Sequence, residues 1–148
     1  MRIEACTPAD IDDWARMRAA LWPEEDAERL HRDCDALLSR SEDRIAFIAR
    51  EEVLPLGFAE ASLRRDYVNG CETSPVGFLE GIYVEPGWRR CGVARGLVEA
   101  VKRWTLAQGC SELASDALLD NQASHAMHNA LGFQETERVV YFRQVLRG

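Results

Sequence analysis

Phe78-Leu79-Glu80-Gly81-Ile82-Tyr83-Val84-Glu85-Pro86-Gly87-Trp88-Arg89-Arg90-Cys91-Gly92-Val93-Ala94 is the stretch that decides the fold. Phe78–Val84 is strongly apolar and predicts a strand, which Glu85-Pro86-Gly87 breaks. Arg89–Ala94 then opens a helix from about Val93 to Gln108. Leu97, Val98, Val101 and Trp104 mark its inward face, and Gly109 its stop. A helix start offers backbone N–H groups without intrahelical partners and the positive end of the dipole. Gly92 and Ala94 are small where a bound anion needs close backbone approach, and Arg89 and Arg90 add positive charge. The segment lacks the Gly-Lys-Ser/Thr of a P-loop and is not G-x-G-x-x-G. By itself R-x-x-G-x-A fits two things equally well. One is an anion cradle built from main chain; the other is an ordinary strand–turn–helix joint with surface arginines.

Upstream, Ile3–Ala5 reads as a short strand. Thr7-Pro8-Ala9-Asp10 reads as a helix start, with Thr7 as N-cap and Pro8 at the first helical position. Ile11, Trp14, Ala15 and Leu21 recur at helical spacing until Pro23. A second helix spans about Asp26 to Leu38, with Ala27, Leu30, Cys34 and Leu37 on one face. Ile45–Arg50 and Leu56–Leu63 predict two strands joined by a turn near Glu52–Pro55, and Asp66–Pro75 a loop turning at Asn69-Gly70. Downstream come a strand at Cys110–Ser115, a short helix at Gln122–Leu131 ended by Gly132, and last strands at Phe133–Glu137 and Val139–Gln144. This order predicts an α/β or α+β sandwich on a mixed sheet, not a regularly alternating doubly wound fold. Without repeats or linkers, residues 1–148 read as a single domain.

Composition narrows the function. With 47% apolar residues a chain of 148 can bury a proper core, and no window approaches the ~20 uncharged apolar residues of a membrane span. The N-terminus lacks the apolar core of a signal peptide, so a cytoplasmic protein is expected. The five cysteines are scattered, with no C-x-x-C pair, and read as buried hydrophobes or incidental thiols, with no metal site. A net charge of −7 argues against nucleic acid, which requires a basic face, and is compatible with a cationic substrate.

The spacing of Arg89–Ala94 resembles the acetyl-CoA loop of the GNAT superfamily of N-acetyltransferases. The element order resembles that fold over nearly the whole chain, and Asn121 with Leu131-Gly132-Phe133 resembles its later motif. Five further stretches look like one branch, the chromosomal-type aminoglycoside 6'-N-acetyltransferases. They are Leu21-Trp22-Pro23, Asp66–Cys71, Phe78–Ile82, Ala114-Ser115-Asp116 and Gly132–Arg138. The resemblance implies a GNAT fold, with a mixed, mostly antiparallel sheet of six or seven strands and about four helices. It also implies acetyl-CoA as co-substrate, a homodimer, and acetylation of the 6'-amine, hence antibiotic resistance.

Individual residues can then be given expected roles. Glu80 lies mid-strand between Phe78 and Ile82, where alternation puts all three on one face. A carboxylate on an apolar strand face is costly unless paired or wet, so it serves either a salt bridge or a cationic substrate. An ammonium must lose a proton before it attacks a thioester, and Glu80, through water, is expected to accept that proton. By resemblance, Asp116 and Glu137 bind substrate ammonium groups, Trp22 and Tyr67 form aromatic walls, and Glu25 adds to a negative rim. A backbone N–H near Ile82 polarises the thioester carbonyl, and the main chain of Ile82, Tyr83 and Val84 pairs with the pantetheine arm. Arg89, Arg90, Cys91, Gly92, Val93 and Ala94 hold the pyrophosphate, and Asn121 contacts the CoA arm. The sequence departs from the family at the Tyr that commonly protonates the leaving thiolate. The nearest group here is His128, so either His128 donates that proton or water suffices. Two other readings stay open: a GNAT enzyme for a polyamine, a peptide N-terminus or another small amine, and a non-catalytic acetyl-CoA-binding module.

Overall fold

The computed structural model describes residues 1–39 and 42–148, which group into two compact units, Met1–Asp116 and Ala117–Gly148. The first carries β1 (Arg2–Ala5), α1 (Ile11–Leu21), α2 (Ala27–Ser39), β2 (Arg44–Glu51), β3 (Leu54–Arg64), β4 (Val76–Val84), α3 (Val93–Ala107) and β5 (Leu113–Ser115). The second carries α4 (Gln122–Ala130). A 3-10 turn at Pro8–Asp10 precedes α1. There the Thr7 N–H donates to the Asp10 carboxylate at 2.9 Å, so the predicted Thr-Pro-Ala-Asp signal does mark the helix entry.

The sheet runs β1-β2-β3-β4-β5, antiparallel except for the parallel β4–β5 pair. It is the expected mixed, mostly antiparallel sheet, with five strands among the described residues instead of six or seven. The difference lies at the C-terminus. Residues 133–145, where two strands were expected, carry neither helix nor strand. Alternation is a local signal, whereas a strand exists only when another strand satisfies its backbone groups. Here Val140, Tyr141 and Phe142 remain 70%, 85% and 92% exposed, and no strand pairing among the described residues includes them.

One sheet face is covered by α1 and α2, around Trp14, Met17, Cys34, Ile48 and Phe58. The other is covered by α3 through Val93, Leu97, Val98 and Val101, each contributing on the order of 1.5–3 kcal/mol. Thr105 is buried on α3, while Trp104, expected inside, is only partly buried. Gly77 explains this. A Cβ there would lie 2.5 Å from the Thr105 Oγ1, so the sheet is shallow at the point where Thr105 sits. The Thr105 hydroxyl donates back to the Val101 carbonyl at 2.8 Å.

One irregularity positions the site. Ala61 pairs with Leu79, and Glu60 with Gly81, so one step of β3 spans two steps of β4. Glu80 is the extra residue of a β-bulge. Before the bulge, Phe78 and Glu80 lie beside Ser62 and Arg64. After it the odd residues take over that face: a Cβ on Gly81 would meet Trp22, and the Tyr83 ring lies 6.4 Å from Phe58. The expected single row of Phe78, Glu80 and Ile82 is therefore broken. Ile82 turns to the opposite face, because strict alternation holds only in a strand without an inserted residue. The β4–β5 pairing ends at Leu79–Ser115, so Gly81–Val84 pairs with β3 alone among the described residues.

Candidate active site

The loop after β4 is tied to the strand it leaves. Arg89 Nε donates to the Val84 carbonyl at 3.1 Å, and the Trp88 N–H to the Glu85 carbonyl at 2.9 Å. The chain then turns left-handed twice, at Arg90 (φ +62°) and Gly92 (φ +81°). Glycine adopts that region freely, but a side chain there costs on the order of 1–2 kcal/mol, and such strain clusters at ligand sites. Gly92 heads α3 with no side-chain cap, and the first turn of α3 contains no acid. The N–H groups and the dipole of a 15-residue helix therefore meet no carboxylate from that turn. This fits a phosphate-bearing group, and the open edge of Gly81–Val84 adds main-chain partners beside it. The Val84 carbonyl already accepts the Arg89 bond.

A cavity of about 970 Å³ opens between the ends of α1 and α2 and strands β2–β4. Trp22, Glu42, Asp43, Ser62, Arg64 and Glu80 are among its walls. Glu80 accepts the Ser62 hydroxyl at 2.6 Å, and Arg64 Nη2 reaches both carboxylate oxygens at 3.0 Å. The same guanidinium stacks on Phe78, 3.5 Å from the ring centroid. Trp22 lies over Gly81, where a Cβ would come within 2.7 Å of the indole, and meets Phe58 edge-on at 6.2 Å. The cavity thus brings together two of the expected residues, Trp22 and Glu80.

Beneath it lies a pair that the sequence reading missed. Arg18 and Glu60 are 7% and 5% exposed. Arg18 Nε and Nη2 bind Glu60 at 2.7 and 3.1 Å, Arg18 Nη1 donates to the Leu30 carbonyl at 2.8 Å, and Trp14 Nε1 donates to Glu60 at 2.8 Å. Arg18 also lies 5.1 Å from the Trp22 ring centroid, so the pair supports the aromatic wall from below. The missed signal was available: Glu60 interrupts an apolar strand just as Glu80 does. Its partner Arg18 is 42 positions away and lay out of reach of local pattern.

The remaining expected residues stand outside the walls of this cavity. Tyr67 is 74% exposed, on a loop stapled by Glu112, whose carboxylate accepts the N–H groups of Glu72 and Thr73 at 3.0 and 2.7 Å. Glu25 is exposed and paired with Arg29, and Asp116 is exposed just beyond β5. In the second unit, Asn121 caps α4 by accepting the Ser124 N–H at 3.1 Å, and Glu137 is exposed. His128 Nδ1 lies 2.7 Å from the Ser124 carbonyl, and its ring meets Phe133 edge-on at 5.2 Å. A carbonyl only accepts, so Nδ1 carries a proton there. All five cysteines are free thiols; burial pushes Cys34 up to about 12 and Cys6 higher still, which makes both inert. Among the described residues there is no group that could hold a metal ion, and no helix long and apolar enough to cross a membrane.

Comparison with known proteins agrees with this geometry. Residues 9–133 match the acetyltransferase (GNAT) family. The aminoglycoside N(6')-acetyltransferase type 1 of Stenotrophomonas maltophilia is 49% identical over 144 residues, covering 97% of this chain and 93% of that protein. That of Acinetobacter baumannii is 48% identical, covering 97% and 98%. Among solved structures, apo 6'-N-acetyltransferase AAC(6')-IG of Acinetobacter haemolyticus superposes with a TM-score of 0.94 at 44% identity, covering 99% and 100% of the two chains. AAC(6')-Iy, in complex with the bisubstrate analog CoA-S-monomethyl-acetylneamine, superposes at 0.92 with 42% identity and 97% coverage of both. This chain, with an acid-free helix start beside an open strand edge and a cavity walled by Glu80 and Trp22, thus belongs to the acetyltransferase (GNAT) family, among the aminoglycoside N(6')-acetyltransferases.

Proposed function

We propose that this chain transfers the acetyl group of acetyl-CoA to the 6'-amino group of aminoglycoside antibiotics, by direct attack in a ternary complex, and so gives resistance. The observation that carries this is Glu80: a bulge aims its carboxylate into the cavity beside Trp22, one residue before the open main-chain edge of β4. Acetyl-CoA supplies an activated acetyl group. Arg89–Ala94 and the start of α3 hold its pyrophosphate, supported by the two left-handed residues and the acid-free first turn. Main chain at Ile82–Val84 aligns the pantetheine arm, and the N–H near Ile82 faces the carbonyl. Asn121 contacts the CoA arm as well.

On the acceptor side Trp22 and Tyr67 form walls, and Glu80, Asp116 and Glu137 receive ammonium groups, with Glu25 at the outer rim. Glu80, through a water molecule, takes the proton that the attacking amine must lose. The leaving thiolate takes its proton from His128 or from water. With Nδ1 held by the Ser124 carbonyl, His128 delivers one only from Nε2 of the charged ring. A free thiol has a pKa near ~8.5, which makes water a competent donor.

The two compact units act as one catalytic domain in this reading, since the family match at 9–133 crosses the boundary at 116. The exposed apolar run Val139–Leu146 supports a homodimer in which a second copy covers it. Five free thiols and the acetyl-CoA co-substrate favour the cytoplasm. The test is thiol release from acetyl-CoA with a 6'-amino aminoglycoside, its 6'-hydroxy analogue and spermidine. Release with the first alone is expected. Release with spermidine alone overturns the acceptor assignment, and CoA binding without release under any condition makes the chain a binding module.

A further inference from the structure

The Glu80 carboxylate is already occupied by a cation of the chain itself. Arg64 reaches it through three bonds of 3.0 to 3.2 Å, its Nη2 bridging both oxygens, and its guanidinium lies flat over Phe78. A planar cation on an aromatic face, bonded to a carboxylate, is the arrangement expected for a bound substrate ammonium. Yet this cation is not locked in place. The Arg64 and Glu80 side chains are 42% and 31% exposed, whereas the Arg18–Glu60 pair below them is buried. Arg64 is the last residue of β3, and its stem borders the open cavity, so it can swing away without breaking the sheet.

We infer that Arg64 is a resident stand-in for the acceptor's ammonium, which any acceptor must displace from Glu80, so that Arg64 sets the KM for the acceptor. This rests on the reading that Glu80 faces the acceptor amine. An acceptor with one ammonium exchanges one charge-assisted contact on Glu80 for another and gains little. An acceptor with several reaches further acids on the same cavity wall, Glu42 and Asp43, and these contacts offset the loss of the Arg64 pair. Asp43 itself is bonded to Arg65 at 2.9 Å, so the outer wall also works by exchange between cations. Displacing Arg64 costs the same whichever acceptor does so, so Arg64 lowers the affinity of every acceptor by one factor, and an acceptor with further ammonium groups keeps useful affinity through its other contacts.

The experiment compares wild type, Arg64→Gln and Arg64→Lys in steady-state thiol release. Two acceptors are used: a 6'-amino aminoglycoside with several amines, and methyl 6-amino-6-deoxyglucoside, a fragment with one. Arg64→Gln is expected to raise kcat/KM about tenfold, through the acceptor KM, and by a similar factor for both acceptors. Arg64→Lys, which keeps the charge but not the fork, is expected to fall between. A fall for both acceptors, or a KM for either that is no lower than in wild type, overturns the inference. If wild type uses spermidine and not the aminoglycoside, the acceptor assignment fails by itself. The role of Arg64 is then read from spermidine against butylamine, with the same expected and overturning results.

Discussion

The proposed phosphate cradle and the proposed acceptor cavity share one sequence stretch, Phe78–Ala94, but are built on different principles. Arg89–Ala94 is contiguous, its effective groups are main-chain N–H groups, and α3 opens without an acid in its first turn. The cavity draws its walls from two helices and three strands, and its acids meet cations of the same chain: Arg18 on Glu60, Arg64 on Glu80, Arg65 on Asp43. The first turn of α3 presents no side-chain acid, whereas Glu60, Glu80 and Asp43 each already hold a cation of the chain. A grip made of backbone is therefore preorganised by local conformation, whereas a grip made of ion pairs depends on what lies beneath it.

The strongest way to break that contrast is at the buried pair. Arg18→Met leaves the Glu60 charge uncompensated in the core and is expected to cost about 3–5 kcal/mol of stability in urea denaturation. Arg89→Gln in the exposed loop is expected to stay within about 0.5 kcal/mol. Equal losses would mean that the cavity floor is no more tertiary in origin than the loop.

A smaller effect separates chemistry from grip. Glu80→Gln is expected to lower kcat about a hundredfold while the KM for acetyl-CoA changes less than about twofold. Thiol release measured across pH checks it, and turnover unchanged at every pH removes Glu80 from the reaction.

The smallest effect sharpens the loop. Nothing lies within 4 Å of a Cβ placed on Gly92, so Gly92→Ala creates no clash and acts only through its φ of +81°. The left-handed penalty of about 1 kcal/mol predicts a several-fold rise in the KM for acetyl-CoA with the acceptor KM unchanged. If the acceptor KM rises equally in initial-rate measurements, the two sites are not separate.

Legibility in the sequence followed the range of the forces involved. Helix starts at Thr7-Pro8 and Asn121, the break at Pro86-Gly87 and the stop at Gly109 rest on backbone preferences of a few adjacent residues, and each was readable. So was the stretch Phe78–Ala94 as strand, turn and helix start. Glu80 was readable as an anomaly, a charge in an apolar strand, but not as the extra residue of a bulge, because a bulge is a relation between two strands. The same limit concealed the Arg18–Glu60 pair and the Arg64 cation over Phe78.

Composition, periodicity and caps thus determined by themselves the order of the elements from β1 to α4 and the mixed class of the sheet, since each depends on short-range sterics and backbone preferences. Tertiary structure alone decided which way Glu80 points, which cation holds it, and what supports Trp22. Those outcomes depend on residues brought together across 16 to 42 positions, where pairing and desolvation, not propensity, choose the partner.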